Sequence, residues 1–401
     1  MEDLSIQESL VQSALKLLGE TGAERLSSHI RGRQEHLGIS KRQMCRVLQM
    51  SGPSMDRILD GEAQKIDVLT LLKLSSFLDM EFRELVRSYV AGASSEEVGE
   101  LESTRERSYI VSNFDLEGLR DVGFINSITK LDAIRDRITS FFGLDSIFDY
   151  RREVARPLFS SMKRDARSKM KEFWVRSAYC QFEKRPNPNE YDRQKLLELV
   201  PQIRQYTRYE QVGLRTVARA LYEAGVTVIA QKKLSYTQVR GGTFVVDGKP
   251  CIVVTDYQDD YGTVWFALLH ELAHVIYHLD TIQSYTYHLS DEVDDMLIEE
   301  EANYFARELL LPEDKLDYIE PLIENPKVVE RYAKKIDIHP SLIYSFYAYR
   351  KYTKENDSSA YSRFSKKMKK ANVALDPIRC NPWQNETIVE DIDKTLDNIS
   401  G

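Results

Sequence analysis

The stretch His270-Glu271-Leu272-Ala273-His274 decides how this 401-residue chain is interpreted. An amphipathic helix is expected here, and residues four apart share one helical face, so both imidazoles can reach a single metal ion. Glu271 projects beside them, where a carboxylate can take a proton from an activated water molecule. Two ligands alone do not hold a catalytic zinc ion, so the pattern predicts a third ligand elsewhere in the chain.

The third ligand is expected on the next helix, predicted from Asp294 to Leu310. Three consecutive acids lie in this segment, and Glu301 is the predicted ligand because it adjoins the apolar side of the helix. Glu299 and Glu300 are interpreted as a solvated acidic face. The predicted cofactor is therefore Zn²⁺, held by two histidines and one glutamate.

Two further features surround this motif. His278 continues the four-residue spacing, but it lies about 12 Å of helical rise from His270, so a supporting role is predicted for it. Peptide hydrolysis also needs a donor to the developing oxyanion. The sequence offers four candidates without ranking them: Tyr285, Tyr287, His288 and Tyr304.

Two β-rich segments, Val226 to Leu234 and Gly242 to Tyr257, precede the motif. Within the second, Asp247-Gly248 predicts a hairpin turn. Strands that lead into a metal-binding helix are typical of zincin-type peptidases, in which an edge strand holds an extended substrate. The predicted fold class is mainly α, with an α+β zincin-like peptidase domain and a separate N-terminal all-α domain.

The N-terminal domain is predicted to consist of short helices over residues 24–90. Ser40 is expected to cap a helix from Lys41 to Leu48, and Ser54 is expected to start another that ends at Leu59. Two short helices separated by a brief turn predict a helix-turn-helix.

The charge of this domain differs from that of the whole chain. Residues 24–65 carry eight Lys/Arg and five Asp/Glu, a net charge of +3, whereas the whole chain carries −8. Such a local excess suits contacts with DNA phosphates, and a palindromic site would require a homodimer. A protein-interaction module with an ordinary charged surface is the alternative. The residues predicted to contact DNA are Arg42, Ser51, Ser54, Met55 and Arg57.

Length and composition allow two or three domains with a large core, since 42% of the residues are hydrophobic. The four cysteines form no Cys-x-x-Cys pair, which argues against both a disulfide framework and a cysteine-ligated zinc site. The sequence has neither a signal-peptide pattern nor an apolar run of transmembrane length. A soluble cytoplasmic protein without a membrane partner is expected.

The predicted division of the chain follows from these patterns. A basic, aromatic stretch from Arg151 to Arg176 is interpreted as a solvated helix whose aromatic side chains pack inward, in preference to a nucleic-acid surface. The predicted segments are an N-terminal segment (1–23), the helix-turn-helix domain (24–90), a linker (91–108), a helical middle region (109–223), the zincin-like core (224–315), a helical C-terminal region (316–379) and a loosely ordered tail (380–401).

Two motifs carry a resemblance to a known family. Through His-Glu-Leu-Ala-His-Val-Ile-Tyr-His at 270–278 and Glu-Ala-Asn-Tyr-Phe-Ala-Arg-Glu-Leu-Leu-Leu-Pro at 301–312, the chain resembles the ImmA/IrrE metallopeptidases over about residues 210–315. The resemblance implies that His270, His274 and Glu301 bind zinc and that Glu271 is the base. It also implies a narrow substrate, a helix-turn-helix repressor. The N-terminal domain is similar to Cro/C1 (XRE) domains.

The chain departs from two other zincin patterns. Neither Gly nor His follows His274 at the metzincin positions, and Phe305, four residues after Glu301, stands where a thermolysin-like Glu-x-x-x-Asp motif has Asp. Both families are therefore disfavoured.

The predicted function is that of a DNA-binding regulator with zinc-dependent endopeptidase activity. Its expected substrate is a repressor or partner protein in a stress, mobile-element, toxin–antitoxin or phage-defence system. One alternative is a transcriptional repressor or antitoxin whose peptidase domain is latent or acts as a sensor. Another is a toxin protease that a partner restrains.

Overall fold

A computed structural model describes residues 25–61, 66–90, 95–151, 166–234, 237–283, 288–289 and 296–400. The chain divides into two compact units, Met1–Glu106 and Arg107–Gly401. Most of the described residues are helical, and the second unit contains a small mixed sheet. The prediction of a mainly α chain with an α+β domain is confirmed at that level.

The first unit is built from short helices around one apolar core. Ile30, Met44, Met55, Leu74 and Leu85 are fully buried in this core. Because each helix contributes a few apolar side chains at helical spacing, helices too short to be stable alone are held by packing. These helices are α1 (Leu26–Leu37), α2 (Lys41–Leu48), α3 (Gly52–Leu59), α4 (Val68–Leu78) and α5 (Phe82–Val90).

Helix caps set the bounds of α2 and α3. Ser40 accepts a hydrogen bond from the backbone N–H of Gln43 in a capping box, so α2 has the predicted bounds. The start of α3 differs from the prediction, because Ser51 is the residue that caps it, through the N–H of Ser54. Three residues therefore separate the two helices.

Fifteen further helices follow among the described residues. Four short 3₁₀ segments interrupt them, at Ile147–Arg151, Glu320–Leu322, Asp376–Ile378 and Pro382–Gln384. The helices are α6 (Ser95–Asn113), α7 (Leu116–Asp121), α8 (Leu131–Phe142), α9 (Ala166–Lys184), α10 (Arg193–Tyr206), α11 (Gly213–Glu223), α12 (Tyr261–Tyr277), α13 (Leu279–Gln283), α14 (Met296–Leu310), α15 (Glu313–Ile319), α16 (Pro326–Lys335), α17 (Pro340–Glu355), α18 (Ser359–Phe364), α19 (Asn372–Leu375) and α20 (Glu390–Ser400).

The sheet has the strand order β4-β2-β3-β1-β5. Its strands are β1 (Thr227–Gln231), β2 (Gly241–Val246), β3 (Lys249–Val254), β4 (His288–Leu289) and β5 (Arg379–Cys380). β1 runs parallel to β3 and β5, whereas β2 runs antiparallel to β3 and β4.

The β2–β3 hairpin forms at the predicted turn. Asp247 and Gly248 both have positive φ, 50° and 76°, which a two-residue type I′ turn requires. Gly248 adopts this region without a steric penalty, and Asp is among the residues that tolerate it.

Both faces of the sheet are covered, because successive strand residues point to opposite sides. Val228 and Ile252 enter a core shared with α10, α11, α12, α14 and α17. Ile229 and Val253 enter a second core shared with α8, α9 and α20. The second unit therefore has three layers, helices–sheet–helices, and β-branched residues fill the strands, as expected for strands buried on both sides.

The segment predicted as a linker is largely helical. Residues 91–94 lie outside the described residues, but α6 begins at Ser95 and ends at Asn113. The Glu and Arg residues that suggested a linker are also strong helix formers, and this propensity favours the helix.

The C-terminal segment 380–401 is not loosely ordered, contrary to prediction. Cys380 pairs with Gln231 in the sheet, and Trp383 is buried. In α20, Ile392, Thr395 and Ile399 are buried at the spacing i, i+3, i+7. This short apolar stripe identifies a packed helix, and the sequence prediction overlooked it.

The helix with the His-Glu-x-x-His motif, α12, is buried on nearly all sides, whereas an amphipathic helix was predicted. Asp260 caps its N-terminus by accepting a hydrogen bond from the N–H of Thr263 at 2.8 Å. Tyr261 donates a hydrogen bond to the carbonyl of Thr207 at 2.7 Å. A helix that is apolar all round belongs in the interior, so the motif is held in the middle of the second unit.

Within the described ranges, no helix combines the length and apolar character that a membrane span requires.

Candidate metal centre

Three side chains from two helices converge at the centre of the second unit. Nε2 of His270 lies 3.0 Å from Nε2 of His274, both on α12. The Glu299 carboxylate on α14 lies 3.1 Å from His274 Nε2 and 3.4 Å from His270 Nε2. These donor atoms all lie within 4.8 Å of one another.

The spacing and chemistry of these donors fit a divalent cation. Ligand atoms 2.0–2.2 Å from a tetrahedral ion are about 3.3–3.6 Å apart, close to the separations observed here. Both histidines are buried, and the Glu299 side chain is only 16% exposed. Two imidazoles and one carboxylate are the ligand set of zinc peptidases, which leave a fourth position for water.

The predicted third ligand, Glu301, is replaced by Glu299 in this arrangement. The Glu301 side chain is 71% exposed and lies beside His278. Residues two apart on a helix point in nearly opposite directions, so Glu299 and Glu301 cannot both face the histidines. Nor is Glu299 part of a solvated face: it lies three residues before Ala302 and seven before Ala306, both fully buried.

Asn303 orients the first histidine. Its Oδ1 lies 3.1 Å from Nδ1 of His270. An amide oxygen can only accept here, so Nδ1 carries the proton and the Nε2 lone pair is directed at the ligand site. Because Glu299 and Asn303 are four residues apart, the helix presents a Glu-x-x-x-Asn pattern. In the thermolysin-like Glu-x-x-x-Asp motif, Asp lies four residues after the glutamate. Counted from Glu299 instead of Glu301, this position holds Asn303 and not Phe305.

A chain of hydrogen bonds orients the second histidine. Nδ1 of His274 lies 3.1 Å from Nδ1 of His278, and Nε2 of His278 lies 2.9 Å from Oε2 of Glu301. If Glu301 accepts from His278 and His278 accepts from His274, the Nε2 lone pair of His274 is also directed at the ligand site. His278 thus supports the ligand His274, and Glu301 is the last member of this series of hydrogen bonds.

Glu271 is fully buried and held from the sheet side. Its Oε2 accepts a hydrogen bond from the Thr243 hydroxyl at 2.7 Å. Gly241 on the same strand has no side chain, and a Cβ there would lie 2.9 Å from Oε1 of Glu271. The strand therefore both makes room for this carboxylate and fixes its direction.

The electrostatics of the centre favour a positive charge. Burial lowers the pKa of His270, but the hydrogen bond with Glu299 and the charges of Glu271 and Glu299 outweigh burial, and the pKa is raised overall. Carboxylates that favour a proton on an imidazole equally favour a cation between these groups. The charges of the centre therefore agree with the geometric fit to a metal ion.

The structure does not assign an oxyanion donor. Tyr285 and Tyr287 lie outside the described residues. His288 pairs with Thr243 in the sheet, but its side chain lies outside the described part of the chain. Tyr304 is 67% exposed on α14, one residue after Asn303. All four stay candidates from the sequence alone.

The residues predicted to contact DNA divide into two groups. Arg42, Ser51 and Arg57 are exposed and Ser54 is half-buried, so these four can meet a ligand. Met55 is fully buried in the core of the first unit, and its assignment as a DNA contact is wrong. Its apolar side chain follows the core spacing of α3 together with Ile58.

Together, the buried His-Glu-x-x-His helix, the glutamate from α14 and the adjoining sheet form a candidate metal centre. Residues 222–333 match the family model described as the IrrE N-terminal-like domain, Peptidase_M78. This match supports a metallopeptidase-like function for the part of the chain that contains the site. No curated protein and no solved structure matches the chain.

Three residues of the site were missed by the sequence interpretation. Glu299 and Asn303 could have been found from their four-residue spacing on the buried side of α14. Thr243 could not, because its contact with Glu271 joins residues 28 positions apart.

Proposed function

We propose that this protein is a zinc-dependent endopeptidase. One observation carries the proposal: His270, His274 and Glu299 converge beside the buried carboxylate of Glu271. The match of residues 222–333 to a peptidase domain supports it independently.

In the proposed reaction, each residue has a separate task. A zinc ion held by His270, His274 and Glu299 would polarise the scissile carbonyl and activate a water molecule. Glu271 accepts the proton of that water and passes it to the leaving amine. Thr243 keeps the Glu271 carboxylate in position, so the proton transfer starts from a fixed geometry.

The β4 edge of the sheet is suited to binding an extended substrate. β4 lies at one edge of the sheet, next to β2, which contacts Glu271 through Thr243. A peptide that adds to this edge by main-chain hydrogen bonds would run past the metal centre. We propose a repressor or partner protein as the substrate, since the resemblance to the ImmA/IrrE metallopeptidases implies one.

Replacing Glu271 by Gln tests the activity. Purified protein is loaded with zinc and incubated with cell extract, and new peptide N-termini are identified by mass spectrometry. We expect defined cleavages with wild type and none with Glu271→Gln, although both bind zinc, because the substitution removes only the proton acceptor. Glu300→Gln, at an exposed position of α14, is the matched control. Equal cleavage by wild type and Glu271→Gln would sink the proposal.

We also propose that the first unit binds DNA as a homodimer and makes the protein a regulator. Three residues separate α2 and α3, and Arg42 and Arg57 on these helices are exposed. Such a pair of helices can place one helix in the major groove, with arginines near phosphates.

Selection from random DNA followed by gel-shift titration tests this second proposal. Arg57→Ala should weaken binding and lower its salt dependence, since one phosphate contact is lost. Lys73→Ala, an exposed charge on α4, should leave binding unchanged. Sedimentation of the complex measures the number of chains per site. Absence of any selected sequence would contradict the proposal.

The same experiments separate the alternatives. A latent or sensor peptidase domain in a repressor or antitoxin predicts DNA and zinc binding without cleavage. A toxin protease predicts that expression stops growth, that a co-expressed partner restores it and that Glu271→Gln is harmless.

A further inference from the structure

A pocket that is open to solvent lies beside the metal centre. Each element that builds the centre also contributes to this pocket. Phe266 lies one turn before His270 on α12, Arg307 lies one turn after Asn303 on α14, and Arg240 directly precedes Gly241 on β2. The pocket therefore adjoins the metal centre along both helices.

Contacts of Phe266 show how close the pocket lies to the metal ligands. Its ring centroid is 6.1 Å from that of His270 and 6.1 Å from that of Phe346, which also lines the pocket. One extended residue spans about 3.3–3.6 Å, so a peptide held at the metal centre reaches the pocket within about two residues. The side chain that enters belongs to a residue next to or near the scissile bond.

Four aromatic side chains contribute to the walls of the pocket. Besides Phe266 and Phe346, Tyr349 and Tyr361 line it. Burial and the neighbouring Asp260 carboxylate raise the pKa of Tyr361 to about 12, so its ring and neutral hydroxyl form part of the wall at physiological pH. Such walls bury the methylene groups of an entering side chain.

The charged groups that line the pocket are Arg240, Arg307 and Asp260. Asp260 is already engaged: its Oδ1 accepts from Ser345 at 2.8 Å, and its Oδ2 accepts from the N–H of Thr263 at 2.8 Å as the cap of α12. Arg307 is exposed and forms no ion pair with any of the described residues. The pocket therefore offers the guanidinium group of Arg307 to a ligand.

We propose that this pocket is a specificity subsite of the peptidase and that it selects an acidic side chain, glutamate before aspartate, near the scissile bond. The inference rests on the proposed peptidase function. The aromatic side chains contact the methylenes, and Arg307 binds the carboxylate by charge-assisted hydrogen bonds, which are stronger beside apolar walls than in water.

The cleavage profile of a proteome-derived peptide library tests the subsite. With zinc-loaded wild type we expect Glu enriched over Asp at one fixed position beside the cleavage. A reporter peptide with Glu there should be cleaved with a kcat/KM about tenfold above that of its Gln counterpart. Arg307→Glu should abolish this preference and enrich Lys and Arg at the same position. Arg331→Glu, the same charge change at an exposed position of α16, should retain the wild-type profile.

A binding measurement separates failure of the subsite from failure of the peptidase. The probes are the fluorescent hexapeptides Ala-Ala-Glu-Ala-Ala-Ala and Ala-Ala-Gln-Ala-Ala-Ala, titrated into Glu271→Gln protein with and without Arg307→Glu. Tighter binding of the Glu peptide that Arg307→Glu removes supports the subsite, even if wild type cleaves nothing. A preference for apolar residues in the cleavage library, or equal binding of the Glu and Gln peptides, would overturn the subsite proposal. The peptidase proposal is tested separately, by whether wild type cleaves.

Discussion

Replacing Glu299 by Gln, beside the same change at Glu301, tests the assignment of the third ligand. The two carboxylates lie two residues apart, but Glu299 lies within 3.4 Å of both ligand histidines, whereas the Glu301 carboxylate lies beside His278. The first substitution removes a ligand. The second weakens a hydrogen bond that reaches the site through His278 and His274.

The expected magnitudes follow from these positions. Removing a partner that directly orients a ligand costs about 10–100-fold in metal affinity, so loss of the ligand itself should cost more than about 100-fold. That corresponds to more than about 2.7 kcal/mol. Glu301 reaches the ligand His274 through His278, and its side chain is 71% exposed. Solvent screening should therefore limit the loss of metal affinity in Glu301→Gln to less than about tenfold.

Competition with a fluorescent zinc chelator measures these affinities on the full chain. Circular dichroism confirms that each variant is folded, and Glu300→Gln serves as the exposed control on the same helix. A larger loss in Glu301→Gln than in Glu299→Gln would refute the assignment. Equal losses of zinc affinity in the two variants would also contradict the assignment, because they would place the ion as close to Glu301 and His278 as to Glu299.

Three further predictions concern the fold around the site. Ile392→Ala should lower the free energy of unfolding by about 2–5 kcal/mol, because the side chain is fully buried. Asn398→Ala, on the exposed side of α20, should change the free energy of unfolding by less than about 0.5 kcal/mol. Equal denaturant midpoints for the two variants would show that α20 is not packed. Burial lowers the pKa of His339 despite its contact with Glu210. The unfolded chain therefore protonates this imidazole more readily than the folded chain does, and the stability of the fold decreases as the pH drops below about 6.5. His339→Asn keeps a capping residue, and its melting temperature should fall less than that of wild type between about pH 7.5 and about pH 5.5; parallel curves would contradict this. Burial raises the pKa of the Cys380 thiol to about 12, whereas Cys45 is only half-buried, so a thiol reagent should label Cys45 in the native protein and Cys380 only after unfolding.

Local patterns were sufficient for several elements of the fold. The Ser40 cap predicted α2, and Asp247-Gly248 predicted the β2–β3 turn, because these depend on residues a few positions apart. The i, i+4 histidines predicted a metal-binding face for the same reason. The helix of residues 95–113 and the packed C-terminal segment were missed, although helix formers and an apolar stripe were present there.

The sequence by itself determined that a His-Glu-x-x-His helix follows a β-hairpin and that a later helix carries three adjacent acids. Only the tertiary structure decided that Glu299 rather than Glu301 completes the cluster, since the choice depends on how α14 is rotated against α12. The contacts of Thr243 with Glu271 and of Glu301 with His278 likewise join separate elements. Helical periodicity is a local property, whereas the rotation of one helix against another is set by the packing of the whole core.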